Sequence, residues 1–213
     1  MVATPHDIDR SPPKQAIPKQ DRARDTYERL LNVAGELLAE VGIDRITTNL
    51  ICARAGVTPP ALYRYFKDKY AVLEALGTRL MDRQNRVLVD WIARHEGGGV
   101  EAMQGAIEEL LRETAATTAA EPGAIWILRA LRASPLLIHI RVDSHRYVTD
   151  RLRDAYAAHL PNVRREDLWE RLRLSVEMGF ALDEMLCEEP GVAPDAAFQH
   201  AARMLRGSPL PRS

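Results

Sequence analysis

The stretch from Ile46 to Phe66 constrains the fold more than any other, because one glycine and two prolines allow helix only on either side of a tight turn. Ile46, Leu50, Ile51 and Ala55 recur at helical spacing, Thr47 or Thr48 can cap the start with a hydroxyl, and Gly56 supplies a stop. Val57 and Thr58 then lead into Pro59 and Pro60. Proline is tolerated in the first turn of a helix, where its missing N–H would have had no intrahelical partner, so a second short helix is predicted from Pro59 to about Phe66. Leu62 and Phe66 form its buried i, i+4 pair and turn Ala61, Tyr63, Arg64 and Tyr65 toward other faces. Two short helices about a glycine turn, the second without long aliphatics outside, have the anatomy of a helix-turn-helix. Such a unit can seat one helix in the roughly 12 Å wide major groove of DNA while the preceding helix braces it. Short helical hairpins also serve as plain core elements, so the pattern alone leaves both readings open.

The flanking sequence extends the helical pattern. Leu30, Leu31, Ala34, Leu37, Leu38 and Val41 predict a helix over about 24–41, stopped by Gly42. Before it, residues 1–21 mix Pro5, Pro12, Pro13 and Pro18 with charges and read as a disordered arm. A long helix is predicted from about Lys67–Tyr70 through Val72, Leu76, Leu80, Val87 and Trp91 to a break at Gly97-Gly98-Gly99, long enough to join two domains. Further helical patterns follow over about 100–119, 122–132, 135–159, 166–188 and 194–206, with no β alternation and no internal repeat. The expected class is all-α: an arm (1–21), a three-helix DNA-binding domain (22–84, helix-turn-helix 47–66), and a helical effector-binding and dimerisation domain (85–213).

Charge divides along the same line. Net charge is −1, but residues 1–86 carry 14 Lys/Arg against 11 Asp/Glu and residues 87–213 carry 15 against 19, giving +3 and −4. The first sign suits a polyanion-binding module. Two cysteines, Cys52 and Cys187, argue neither for a disulfide framework nor for a zinc site, and no stretch is apolar for long enough to span a bilayer. Cys52 reads as a small core residue rather than a redox sensor. With no export or lipidation signal, a reducing cytoplasm is expected. No glycine-rich phosphate loop, G-x-S-x-G elbow or H-E-x-x-H motif occurs, so neither catalysis, a cofactor nor a metal site is expected.

The run Ala55-Gly56-Val57-Thr58-Pro59-Pro60-Ala61-Leu62-Tyr63-Arg64-Tyr65-Phe66-Lys67-Asp68-Lys69 resembles the signature of the tetracycline-repressor (TetR) family. The matching positions are Ala55, Gly56, Val57, Thr58, Leu62, Tyr63, Tyr65, Phe66 and Lys69, and the resemblance covers about residues 24–84. It implies phosphate contacts from Thr47 and Thr48 at the start of the helix-turn-helix, from Tyr63 and Tyr65 beside the groove, and from Lys69. Base reading would fall to Asn49, Thr58, Pro59, Pro60, Ala61 and Arg64, with Arg64 foremost because a guanidinium bonds bidentately to guanine. Proline at 60, where the family often has glycine, replaces close backbone approach with an apolar face, and Cys52 stands where alanine is usual.

The resemblance further implies a homodimer on a palindromic operator, released by a small-molecule effector. Leu168, Leu172, Leu174, Val176, Met178, Phe180, Ala181 and Met185 occupy more than one face of their helix, so one side is expected to meet its own domain and the other a partner, continued by Ala197, Ala201 and Met204. Candidate effector contacts are Trp91, Trp126, Arg129, His139, His145, Tyr147 and Asp183, polar or aromatic groups on otherwise apolar helices. Alternatives are a helical small-molecule-binding or enzymatic protein with a structural N-terminal cap, and a regulator that activates or needs no small ligand.

Overall fold

The computed structural model describes residues 21–206. These form α1 (Asp21–Arg45), α2 (Thr48–Ala55), α3 (Pro59–Tyr63), α4 (Lys69–His95), a 3-10 turn (Glu96–Gly98), α5 (Gly99–Gly105), α6 (Ile107–Ala119), α7 (Ala124–Ala133), α8 (Ile138–Ala157), α9 (Arg165–Glu188) and α10 (Pro194–Arg206), with no strand among the described residues. The all-α class expected from periodicity is the class found. The predicted arm, apart from Asp21, lies outside the described residues.

Where boundaries differ from the sequence reading, a local cause is visible. Gly42 breaks α1 where a stop was expected (φ 74°, ψ 172°), but one more turn follows, to Arg45. Helix α3 ends at Tyr63 instead of Phe66, and its last turn tightens as the N–H groups of Tyr65 and Phe66 both donate to Leu62 O, at 2.9 and 3.0 Å. The three glycines form a 3-10 turn and the start of α5 rather than a loop. The helix predicted over 100–119 is divided at Ala106, and the carbonyls at the break find side-chain donors: Trp91 Nε1 to Ala106 O at 3.0 Å and Arg206 to Gly105 O at 2.6 Å. Helices α7 and α8 begin two and three residues later than the expected 122 and 135, after the turns at Gly123 and at Ser134–Leu137.

Two apolar cores share α4, whose 27 residues extend roughly 40 Å. The first joins Leu30, Leu31 and Leu38 of α1, Ile51 of α2, Leu62 of α3, Phe66, and Leu76 and Leu80 of α4 to Ile127 and Leu131 of α7. The second joins Leu88 and Trp91 of α4 to Met103 and to apolar residues of α8 and α9. The α6–α7 turn fastens the first core from outside. Glu121, fully buried, pairs with Arg79 and, at 2.5 Å, with Arg83, while Arg79 also holds Glu28 of α1 at 2.8 Å. Beside it, the turn lies so close to α1 that a Cβ on Gly35 would come within 2.4 Å of Pro122 O. No described helix is long and apolar enough to cross a membrane.

Candidate nucleic-acid interface and ligand cavity

The helix-turn-helix is held by its backbone caps. Thr47 Oγ1 accepts the N–H of Leu50 at 3.2 Å, and Gly56 ends α2 in the left-handed region (φ 65°, ψ 35°) with its N–H bonded to Cys52 O. Thr58 caps α3 through its carbonyl, which accepts from Ala61 and Leu62, so its hydroxyl takes no part in the cap. Cys52 is buried, and burial pushes its thiol up, as for a core residue. The side chains of Leu62 and Phe66 turn into the first core, which leaves Asn49, Thr58, Pro59, Pro60, Tyr63 and Arg64 exposed and Ala61 half-buried.

This brings two expected phosphate ligands together: Thr48 Oγ1 lies 3.3 Å from the Tyr63 hydroxyl, joining the first residue of α2 to the last of α3. Arg64 forms no ion pair among the described residues. Arg54, by contrast, is tied bidentately to Glu40 of α1 at 2.9 and 2.8 Å, and that hydrogen bond holds the Glu40 carboxyl low. Two other expected phosphate contacts are engaged within the chain. Tyr65 is half-buried, its ring edge-on to Tyr27 with centroids 6.0 Å apart, and Lys69 Nζ donates to Ile43 O at 3.0 Å, closing the end of α1.

Across the second core, α4, α5, α6, α8, α9 and α10 line a partly open cavity of about 120 Å³. Its wall is mainly apolar, including Leu88, Trp91, Leu110, Leu111, Val148, Leu152, Val176, Phe180, Phe198 and Leu205. One end is polar. Gln84 Nε2 donates to Thr118 Oγ1 at 2.8 Å, and Thr118 donates to Asp183 Oδ2 at 2.6 Å. Burial raises the Asp183 carboxyl pKa, against the lowering effect of the Thr118 bond. Gln84 Oε1 is buried without a hydrogen-bond partner.

Of the effector contacts expected from sequence, Trp91 and Asp183 line this cavity. His145 does not: it is buried behind Phe180, stacked on that ring at 4.0 Å and bonded to Glu177 at 2.9 Å, and desolvation lowers its pKa to about 4. Trp126, Arg129, His139 and Tyr147 are exposed and lie outside it; Arg129 covers the Trp126 ring at 4.7 Å and pairs with Glu188. Gln84 and Thr118 were missed. A signal for Gln84 existed, since it interrupts the apolar stripe of Leu80, Leu88 and Trp91 on α4. Thr118 had none, because its role depends on α6 meeting α4 and α9.

Helix α9 divides by face. Leu168, Leu172, Val176 and Phe180 are buried in the second core, while Leu174 and Met178 on the other side are 63% and 37% exposed. Ala181 is also exposed and Met185 half-buried.

Residues 30–76 match the family model described as bacterial regulatory proteins, tetR family. Tetracycline repressor protein class D of Escherichia coli is 38% identical over 63 residues, 30% of this chain and 29% of the repressor, so the chain spans under a third of the tetracycline repressors it matches. The HTH-type transcriptional regulator UidR of Escherichia coli strain K12 is 24% identical over 200 residues, 91% of this chain and 97% of UidR. A TetR-family transcriptional regulator from Streptomyces coelicolor shares the fold, with a TM-score of 0.61 at 23% identity over 86% of this chain and 96% of its own. Residues 30–76 thus form a domain of the kind described as bacterial regulatory proteins, tetR family, within a fold shared with TetR-family regulators.

Proposed function

We propose that the chain is a sequence-specific DNA-binding transcriptional regulator: a homodimeric repressor in the cytoplasm that leaves a palindromic operator when a small molecule enters the cavity. The observation that carries this reading is the outer face of the helix-turn-helix, where Pro59 and Pro60 open α3 and Arg64, exposed, follows its last residue, Tyr63 of the Thr48–Tyr63 pair. Arg64 would read bases together with Asn49, Thr58 and Ala61, and the two prolines would offer apolar surface to thymine methyls. Thr47, Thr48 and Tyr63 would hold phosphates, and so would Lys69 once it exchanges Ile43 O for DNA; Tyr65 would act from the edge of the core. The few polar readers make DNA shape a large part of operator choice.

We divide the chain at about residue 84, with the operator-binding unit before it and the effector and dimer unit after it. The shared first core and the Glu121 turn would carry a change at the cavity to the helix-turn-helix. The exposed Leu174–Met178 face of α9 supports pairing with a second copy, which would set two recognition helices one helical turn of DNA, or a multiple, apart. Gel-shift and footprinting assays on DNA flanking the gene for this chain test the proposal. A specific, salt-sensitive complex is expected, and its absence at low salt would refute the reading.

A further inference from the structure

The cavity has a defined polarity that its apolar wall conceals. Thr118 has one hydroxyl proton and two acceptors within reach of it, Asp183 Oδ2 at 2.6 Å and Thr114 O at 3.0 Å, so toward Gln84 Thr118 can only accept. The Gln84 amide is thereby oriented with Nε2 toward Thr118 and Oε1 left as a buried acceptor with no donor, on a residue only 3% exposed. Beside it, the Asp183 carboxylate forms no ion pair among the described residues, and the charged neighbour that acts on it is another carboxylate, Glu184. Gln84 and Asp183 both line the cavity, so two acceptors without a cation lie at the same end of it. The one cation on the wall, Arg171, stands twelve residues earlier on α9, roughly 18 Å along the helix.

We infer that the ligand is a compact lipophilic amine whose ammonium head donates to Gln84 Oε1 and the Asp183 carboxylate while its apolar body lies against Leu88, Trp91, Leu152 and Phe180. An ammonium supplies several donors and the missing positive charge together, a hydroxyl supplies one donor and no charge, and a carboxylate supplies neither. The space already formed sets the scale: about 120 Å³ is somewhat less than the roughly 150 Å³ apolar cavity that holds one benzene ring. A six-carbon chain or a single ring is the appropriate scale. This assignment rests on reading the cavity as the effector site.

The test is calorimetric titration of the full chain with n-hexylamine, n-hexanol and hexanoate at neutral pH. The amine is expected to bind at least about tenfold more tightly than the alcohol, and hexanoate least. Asp183→Asn should erase the preference for amine over alcohol, and Gln84→Met should weaken both. Should either variant fail to fold by circular dichroism, the wild-type ranking decides alone. Equal or tighter binding of hexanoate, no binding of hexylamine, or amine binding indifferent to Asp183→Asn in a folded variant would overturn the inference. Adding the same probes to the protein–DNA complex separates the two readings. Hexylamine that binds as expected without releasing DNA upholds the ligand class and removes the effector role, whereas DNA release by other compounds with no hexylamine binding does the reverse.

Discussion

Replacing Glu121 by Gln tests whether the α6–α7 turn is fastened to α4 by charge. The carboxylate is fully buried, while its partners Arg79 and Arg83 have side chains 10% and 40% exposed. Glu121→Gln keeps the shape but leaves two guanidinium groups facing a neutral amide. Removing one partner of a buried ion pair costs about 3–5 kcal/mol. The lower end applies here, because Arg79 retains Glu28 at 2.8 Å and Arg83 can turn into water. A loss of about 3 kcal/mol corresponds, at about 2.1 cal/mol/K per residue over 213 residues, to a Tm fall of roughly 7 °C. Urea unfolding gives the free energy and differential scanning calorimetry the Tm. Because Glu121 follows Thr118 by three residues, the variant should also bind operator normally yet respond less to ligand. A Tm change under about 2 °C would refute the claim that this pairing holds the turn.

Other substitutions probe separate joints. Gly56→Ala places a side chain at φ 65° where a Cβ meets nothing, so a pure backbone cost of about 1 kcal/mol is expected in urea unfolding, whereas Gly35→Ala, aimed at Pro122 O, should cost more. His145 faces Glu177, Arg141 and Arg173, and its pKa is lowered from 6.5 to about 4 by desolvation. The unfolded chain therefore binds a proton there between pH 6.5 and 4 that the folded chain does not, so this contribution, up to about 3 kcal/mol, is present above pH 6.5 and is lost as pH falls toward 4. Glu177 adds to the same trend at lower pH, since desolvation raises its carboxyl but hydrogen bonds from His145 and Arg173 outweigh this and hold it low. Unfolding series at pH 7 and 5 should show a smaller difference for His145→Gln than for wild type. Leu174→Arg, at a 63% exposed site, should leave the fold intact and lower the mass seen by sedimentation toward one chain.

What the sequence disclosed, and what it hid, follow from the range of the forces involved. Caps and stops at Thr47, Gly56 and Pro59 are local backbone chemistry, so both ends of α2 and the start of α3 were legible, while the end of α3 at Tyr63 was not. Nor was the break at Ala106, because the side chains that bond the carbonyls there, Trp91 to Ala106 O and Arg206 to Gly105 O, arrive from other helices. The cavity was legible only where one residue stood out from its own helix, as Trp91 and Asp183 did. His145 stood out equally and is spent on Glu177 and Phe180, and periodicity cannot distinguish a polar group satisfied inside a core from one facing a hollow. Lys69 shows the same limit: its position was legible from the motif, its bond to Ile43 O was not.

The central claim is that α3 reads DNA sequence, and affinity selection from a pool of random duplexes tests it most directly. Wild type should recover a palindrome with half-sites one helical turn, or a multiple, apart. Arg64→Ala should lose preference at one position per half-site, and Lys69→Ala should bind all duplexes more weakly with the preference intact. A pool that remains random for wild type, or an unchanged consensus for Arg64→Ala, would contradict the account.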